Sequence, residues 1–254
     1  MPWLARTLDW PFAGLGRHVE LARMAGRAGD FWSITWAGYV GVLTGCAPGR
    51  FAGCMNQAPL WRRTRHPWLR LSDIVLNAIG TWRLTHIPPD QLLRLTFEQC
   101  RTFDEARERL ERTPIARPAI FTLAGCHAGE RCVIERTEDG FSTRRETTSA
   151  ANNWLVPTEP WEARVGGELA LHCAFNEASD NSIRRRTALS EWRGSFDRDS
   201  FAWVVPPVLN RFTRVAAEMC PAHGIVRVVG YERSPGAETA APVTAPREVA
   251  PAMA

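Results

Sequence analysis

The chain has 254 residues, enough for one large domain or two small ones, and its 45% hydrophobic content can fill a substantial core. The formal charge of +4, from 31 basic and 27 acidic residues, is mild and spread along the chain. We therefore predict no nucleic-acid partner. Every basic residue is arginine, which excludes lysine Schiff-base chemistry and a phosphate-loop lysine.

The cysteines indicate buried free thiols in a reducing compartment, and we predict a cytoplasmic protein. Their number is seven, no Cys-x-x-Cys spacing occurs, and the Cys126-His127 and Cys132 group lacks a usual zinc spacing. We therefore predict no metal site and no cofactor. No apolar run approaches membrane-spanning length, and no secretory leader is visible. The arginine, alanine and proline bias is typical of a GC-rich bacterial genome.

Short strands and then helices are predicted in the first half of the chain. The stretch LARTLDW, residues 4–10, predicts a strand that Pro11 would end. Aromatic and β-branched residues predict three further strands at about 31–36, 39–45 and 50–56. Three helices are then predicted: one capped by Ser72 and running to residue 86, one over 90–100, and one opened by a capping box at Thr102–Glu105.

The second half returns to strands, predicted at 118–125, 131–137 and 141–154, before a helix that Ser182 begins. A last strand pair is predicted at 211–219 and 224–232. We predict one domain over 1–233 and a disordered tail over 234–254, which is rich in proline and alanine. This order favours an α+β fold in which helices flank two antiparallel sheets.

Several polar residues allow both a structural and a chemical interpretation. Arg6 and Asp9 are either a local ion pair or members of one site, and the second option needs a bend because residues three apart on a strand face opposite ways. Asn56, Asn152 and Asn153 are turn residues or donors to an oxyanion. The run Arg184–Arg186, predicted in the first turn of its helix, is a solvated face or includes one arginine directed at a carboxylate such as Asp9.

Five segments, in order, resemble the linear amide C–N hydrolases, the group of acid ceramidase, N-acylethanolamine acid amidase and choloylglycine (bile salt) hydrolase. They are LARTLDWPF, VGVLTGCAPGRFAGCMNQAP, ARPAIFTLAG with CVIERTE, SAANNW and DNSIRRRTAL, and the resemblance as a whole covers about residues 4–232. The resemblance implies an αββα sandwich of the N-terminal-nucleophile (Ntn) hydrolase type. It also implies hydrolysis of a small-molecule N-acyl amide by acyl transfer to an N-terminal cysteine.

The resemblance also implies roles for five residues. Arg6 would lower the pKa of the cysteine thiol, and Asp9 would hold its α-amine. Asn56 and Asn152 would bind the oxyanion, and Arg185, or its neighbour Arg184, would tie the network together.

One feature departs from the family, in which the nucleophile precedes this arginine by well over a dozen residues. Only five residues precede Arg6 here, and none is cysteine. We therefore expect the first strand and its nucleophile to be missing through a misassigned start, and we interpret Cys46 and Cys54 as core residues.

The alternative is a catalytically inactive binding protein on the same scaffold. Its tryptophans would line an apolar pocket for an acyl chain, at positions 10, 32, 36, 61 and 154. The particular N-acyl substrate and the oligomeric state stay open at this point.

Overall fold

A computed structural model gives the structure of the chain and describes residues 1–146, 148–156, 158–163 and 177–250. The strands are β1 Leu4–Asp9, β2 Glu20–Met24, β3 Phe31–Thr35, β4 Thr44–Ala47, β5 Phe51–Gln57, β6 Leu60–Trp61, β7 Ala119–Gly125, β8 Arg131–Arg136, β9 Phe141–Arg144, β10 Trp161–Glu162, β11 Thr213–Cys220, β12 Ile225–Glu232, β13 Ala241–Pro242 and β14 Arg247–Val249. The helices are α1 Arg70–Trp82, α2 Pro89–Gln99, α3 Phe103–Arg112 and α4 Glu177–Glu191.

Two antiparallel sheets contain most of the described strands. One has seven strands in the order β2-β3-β4-β5-β7-β8-β9. The other has five, in which β1 pairs with β11, β11 with β12, and both β13 and β14 pair with β12. A short ribbon of β6 and β10 stands apart from both. The first strand of the chain thus lies beside one of the last, so distant parts of the sequence meet at β1.

The core lies between the two sheets, and helices cover their outer faces. Leu4 and Leu8 of β1 belong to the same buried cluster as Ala52 and Cys54 of the seven-stranded sheet. On the outside of that sheet Phe97 of α2 stacks on Phe51 at a centroid distance of 5.0 Å. On the outside of the five-stranded sheet, a second cluster joins β11 and β12 to Ala188 and Leu189 of α4. The predicted α+β sandwich of two antiparallel sheets flanked by helices is confirmed.

The first three helices match their predicted positions closely, and of their two predicted caps only the one at Thr102 is present. Thr102 caps α3, because its Oγ1 accepts from the Glu105 amide at 3.2 Å. The Glu105 carboxylate accepts from the Arg101 amide at 2.7 Å, which completes a capping box displaced by one residue. Ser72, in contrast, lies inside α1, whose N-cap is Leu69 without a side-chain cap.

Two predicted strands are shorter than expected. The strand predicted at 39–45 begins only at Thr44, because the chain before it binds to α2 instead. The Val42 amide donates to the Asp90 carbonyl at 3.1 Å, and a Cβ on Gly41 would lie 2.2 Å from Asp90 Oδ2. The strand predicted at 141–154 ends at Arg144.

The arginine triplet does not lie in the first turn of its helix, which corrects the prediction. The described helix α4 runs from Glu177 to Glu191, so residues 184–186 lie beyond its first turn, which carries Glu177 and Asp180 as the dipole favours. Ser182 is not the cap that we predicted. Its Oγ is buried, accepts from the Asn152 amide at 2.8 Å and donates to Asn153 Oδ1 at 2.7 Å.

The predicted disordered tail over 234–254 is wrong for residues 234–250. Two of its segments, β13 and β14, pair with β12, and Arg247 Nη1 donates to the Val19 carbonyl at 3.0 Å. Backbone pairing along a strand edge therefore orders a segment with almost no bulky apolar residues. Residues 251–254 lie outside the described part of the chain.

No helix in the described ranges combines the length and the apolar character that crossing a bilayer requires.

Candidate active site

The pairing of β1 with β11 contains a β-bulge beside Asp9. Leu8 pairs with Val215, whereas Asp9 pairs with Thr213, so Arg214 is left unmatched. A bulge re-aims the side chains beside it. Both Arg6 and Asp9 line one cavity of about 1590 Å³.

Arg6 is a buried cation held by backbone carbonyls. Its guanidinium donates to the Leu43 carbonyl, to Thr44 Oγ1 at 2.6 Å and to the Met55 carbonyl at 2.7 Å. Its Nε is buried and meets no acceptor among the described residues. Burial lowers the pKa of Arg6, while Cys54 and Asp9 act in the opposite direction. These contacts do not form the local Arg6–Asp9 ion pair, and they leave the Nε–H of the guanidinium without an acceptor among the described residues.

Asp9 accepts hydrogen bonds from three side chains that come from distant parts of the chain. Its Oδ2 accepts from Asn210 Nδ2 at 2.7 Å and from Arg185 Nη1 at 3.1 Å. Its Oδ1 accepts from Thr213 Oγ1 at 3.0 Å. No local sequence pattern marks Asn210 or Thr213 as site residues, since they lie about 200 positions from Asp9 and meet it through the pairing of β1 with β11.

Arg185 connects Asp9 to Asn152, because its Nη2 donates to Asn152 Oδ1 at 3.0 Å. Its Nε donates to Asn181 Oδ1 at 3.1 Å, one helical turn earlier in α4. Arg184 is exposed and is not one of the partners of Asp9 or Asn152. Of the two arginines that we could not separate from the sequence, Arg185 is the one that contacts Asp9.

The two asparagines face each other across the end of β5. Asn56 Nδ2 donates to the Ala151 carbonyl at 3.1 Å, and Asn152 Nδ2 donates to the Gln57 carbonyl at 3.0 Å. A side-chain amide has two N–H donors, so each asparagine retains a second N–H. Asn153 is buried and accepts from Ser182, which is a structural role.

All five candidate residues therefore line the same cavity, namely Arg6, Asp9, Asn56, Asn152 and Arg185. The arrangement offers a cation, a carboxylate and two amide donors around one space. Their catalytic roles stay predictions.

The chain is similar to known proteins in part of its sequence and in its fold. No family model matches the chain. Rabbit N-acylethanolamine-hydrolyzing acid amidase is 29% identical over 137 residues, which are 53% of this chain and 35% of that protein. Bovine acid ceramidase is 33% identical over 130 residues, 50% of this chain and 30% of that protein. The chain thus spans about a third of the length of these curated relatives.

The chain is a relative of the acid ceramidase and N-acylethanolamine acid amidase group. The Caenorhabditis elegans N-acylethanolamine-hydrolyzing acid amidase ortholog superposes with a TM-score of 0.61, at 20% identity over 87% of this chain and 88% of that one. This likeness shows the fold, and the predicted sandwich of two antiparallel sheets flanked by helices is confirmed.

In this relative of the acid amidases, the cysteines nearest the site pack in the core. Cys46 and Cys54 both belong to the cluster between the sheets. Cys54 also touches the cavity beside Arg6, yet burial raises the pKa of its thiol more than Arg6 and Thr122 lower it. Cys54 is therefore a neutral thiol and a poor nucleophile.

The binding-protein alternative expects five tryptophans in the cavity wall, and the structure places four of them elsewhere. Of the five tryptophans only Trp10 lines the cavity. Trp32 and Trp36 pack at the margin of the core, and Trp61 and Trp154 both contact Trp161. The cavity instead receives three tryptophans that the sequence did not single out, Trp3, Trp192 and Trp203.

Proposed function

We propose that the chain is part of an amide hydrolase. The enzyme cleaves the linear C–N bond of a small N-acyl substrate through a cysteine acyl-enzyme. One observation carries the proposal. The hydrogen-bonded series Asp9–Arg185–Asn152 lines a cavity together with Arg6 and Asn56.

In this proposal a thiolate attacks the carbonyl carbon of the amide, and the resulting tetrahedral intermediate expels the amine. Water then cleaves the thioester and releases the acid. Arg6 is suited to stabilise the thiolate, because its cation is buried and its Nε has no acceptor among the described residues. A nearby cation lowers a thiol pKa.

Asp9 is suited to hold the α-amine of the nucleophile, which acts as the base. A carboxylate has about four acceptor positions, and three donors contact Asp9 in the described part of the chain. Those donors fix its orientation and leave one acceptor position for an N–H of the amine.

Asn56 and Asn152 are suited to bind the oxyanion of the tetrahedral intermediate. Each amide is fixed by one hydrogen bond to a backbone carbonyl and keeps a second N–H. Losing one such donor from an oxyanion site costs about 3 kcal/mol of transition-state stabilisation.

The nucleophile, in this proposal, lies on a strand that precedes the printed residues and pairs with the second edge of β1. Within the described ranges β1 pairs with β11 alone. Six consecutive residues, 5–10, line the cavity. Side chains of a strand alternate between faces, so a space that touches all six runs along the strand edge.

The alternative, an inactive protein that binds an acyl or lipid-like ligand, is supported by the apolar side of the cavity. Trp3, Trp192 and Trp203 line that side together with Leu189. A binding protein would use the same wall without turnover.

Mass analysis of the native N-terminus, followed by expression of the reading frame extended upstream, tests the proposal. We expect a cysteine at the mature N-terminus and hydrolysis of a fluorogenic N-acyl aminocoumarin. Asp9→Ala and Arg185→Leu should each abolish turnover, whereas Arg112→Leu, at an exposed pair on α3, should not. Absence of hydrolysis by the extended protein contradicts the proposal, and thermal stabilisation by an N-acyl amide without turnover supports the binding protein.

We also propose a cytoplasmic location. Six cysteines in the described part of the chain are free thiols, which a reducing compartment preserves. Cell fractionation with an antibody against the chain tests this, and recovery outside the cytoplasm would contradict it.

A further inference from the structure

Three polar side chains form a small cluster where the cavity reaches the N-terminus of α2. Tyr39, from the loop before β4, donates through its hydroxyl to Asp90 Oδ2 at 3.0 Å. Arg117, from the segment before β7, approaches Asp90 Oδ1 with Nη2 at 3.8 Å. Tyr39 and Arg117 both line the cavity. We call these three residues the α2 cluster.

Asp90 is held on several sides, so the α2 cluster has a fixed geometry. It lies in the first turn of α2, where the helix dipole favours a carboxylate. Its carbonyl accepts from the Val42 amide at 3.1 Å, and its Oδ2 lies 2.2 Å from the place that a Cβ on Gly41 would take. The hydrogen bond from Tyr39 then fixes the carboxylate.

Arg117 is the member of the α2 cluster that is available to a ligand. Its side chain is 46% exposed, whereas that of Asp90 is 14% exposed. The separation of 3.8 Å between them is longer than a hydrogen bond. Within the described ranges the Arg117 guanidinium donates no hydrogen bond. Its planar fork of five N–H donors matches the two oxygens of a carboxylate.

The surroundings of Arg117 favour a singly charged anion. Burial, and then the Asp90 carboxylate, raise the pKa of Tyr39, so its hydroxyl stays neutral. Arg6 and Tyr39 lie close enough for the charge of each to act on the other. Two cations and one carboxylate therefore give this part of the cavity a net positive charge. Because Asp90 lies beside Arg117, a carboxylate suits the place better than a doubly charged phosphate.

The α2 cluster lies close to Asn56, one of the two proposed oxyanion donors. Ala119 of β7 pairs with Gln57 of β5. Arg117 precedes Ala119 by two residues, so it lies just past the end of β5 that carries Asn56. A ligand group bound at Arg117 is therefore near the proposed position of the amide bond.

The apolar side of the cavity begins at the other end of β1. Trp3 precedes β1, and its ring stacks on Phe196 at a centroid distance of 5.4 Å. Trp10 follows β1 and contacts Trp36 at 6.3 Å, and the Trp36 carbonyl accepts from the Tyr39 amide at 3.1 Å. A strand rises about 3.3 Å per residue, so β1 separates the two ends by about 20 Å. An apolar group and an anionic group of one substrate would therefore bind at different ends.

We propose that the α2 cluster is a subsite for a carboxylate on the amine portion of the substrate, which makes the substrate an N-acyl amino acid. The carboxylate accepts two hydrogen bonds from the guanidinium of Arg117. The acyl group is apolar and takes the side lined by Trp3, so the charge belongs to the amine that cleavage releases. The inference rests on the proposed function, because it assigns the two portions of the amide that is cleaved there.

Binding of two matched amides by the chain tests the subsite without relying on turnover. N-Dodecanoylglycine carries a carboxylate on its amine portion, whereas N-dodecanoylethanolamine carries a neutral hydroxyl and has the same acyl chain. In isothermal titration calorimetry we expect the glycine amide to bind about tenfold more tightly. Added salt should narrow the difference, because Arg117 is partly exposed.

Variants of Arg117 assign the preference to the α2 cluster. Arg117→Leu should remove it, and Arg117→Lys should keep part of it, because lysine retains the charge without the planar fork. The control Arg112→Leu changes an exposed arginine of α3 that does not line the cavity. It should keep the full preference.

Equal affinity of the parent chain for the two amides, or binding of neither, would overturn the subsite. So would a preference that Arg117→Leu leaves unchanged while its circular dichroism and melting temperature match the parent. Hydrolysis of the neutral N-acyl aminocoumarin is a separate measurement. An active enzyme without the preference would contradict the subsite alone, and a chain that prefers the glycine amide without hydrolysis would contradict the proposed function alone.

Discussion

Arg185 of helix α4 bonds to Asp9 of the first strand, with Nη1 at 3.1 Å from Oδ2, although the two residues are 176 positions apart. The same guanidinium donates to Asn152 Oδ1 at 3.0 Å. The rigid, planar fork of an arginine fixes the distance between two acceptors that it bridges. Arg185 therefore sets the spacing between a carboxylate on one sheet and an amide on the loop that follows the other.

Replacing Arg185 by leucine should lower the free energy of unfolding by about 1.5–3 kcal/mol, the range for hydrogen bonds to charged groups. The side chains of Arg185 and Asp9 are 17% and 23% exposed, so solvent screens the pair only in part. Urea denaturation of the parent and the variant measures the difference.

Arg112→Leu is the matched control, since Arg112 pairs with Glu108 on α3 with side chains that are 69% and 65% exposed. Its effect should stay within about 0.5 kcal/mol. Equal effects of the two substitutions would mean that the Asp9–Arg185 contact does not stabilise the folded chain.

The sequence predicts those site residues that lie within the segments resembling the linear amide C–N hydrolases. Arg6, Asp9, Asn56, Asn152 and the arginine triplet were all predicted, and the structure brings five site residues to one cavity. Asn210 and Thr213 were not predicted, because no local pattern marks them. Their place beside Asp9 follows from which strands pair, and strand pairing is a long-range property.

For the fold, the hydrophobic pattern predicts where a helix lies better than it predicts which side of that helix is buried. The sequence predicts a helix from Ser72 to residue 86, yet it does not reveal that Arg70 and Asp73 form the buried side of α1. The tail has too few apolar residues to predict order. Its strands are nevertheless held by backbone hydrogen bonds to β12, which composition does not report.

A close approach between Gly16 and β12 leaves no space for a side chain. A Cβ on Gly16 would lie 2.0 Å from the Tyr231 carbonyl oxygen. Gly16→Ala should therefore force the backbone apart and lower the free energy of unfolding by about 1–3 kcal/mol. Thermal and urea denaturation measure the loss.

Gly80→Ala provides the comparison, because a Cβ there meets nothing within 4 Å and Gly80 lies in α1. Alanine is favoured over glycine in a helix by about 1 kcal/mol, so this variant should be more stable than the parent. A Gly16→Ala variant as stable as Gly80→Ala would contradict the close approach.

Removing the N-terminal cap of α3 should lower the free energy of unfolding by a smaller amount. Thr102→Ala removes the acceptor for the Glu105 amide and should cost about 1 kcal/mol of stability. Thr102→Ser keeps a hydroxyl and should recover most of that loss. If serine and alanine were equally destabilising, the lost methyl group, and not the cap, would explain the effect.

The buried thiol of Cys132 should make the chain less stable in alkali. Burial, and then the nearby Glu111 carboxylate, raise the pKa of Cys132 to about 12, whereas an unfolded thiol titrates near pH 8.5. Between these values the unfolded chain loses a proton that the folded chain keeps. The contribution of Cys132 to the free energy of unfolding is therefore complete below about pH 8.5. It decreases by about 1.4 kcal/mol per pH unit as the pH rises toward the pKa of Cys132 in the folded chain.

Cys132→Ala removes this titration, so the variant should lose less stability than the parent as the pH rises from 7 to 10. At pH 7 the variant is less stable than the parent only because its side chain at position 132 is smaller. At pH 10 its disadvantage should be about 2 kcal/mol smaller, which is the linkage over about 1.5 pH units. Urea denaturation at both pH values, with a reductant present, measures the difference. A disadvantage that is the same at both would show that the Cys132 thiol ionises alike in the folded and unfolded chain.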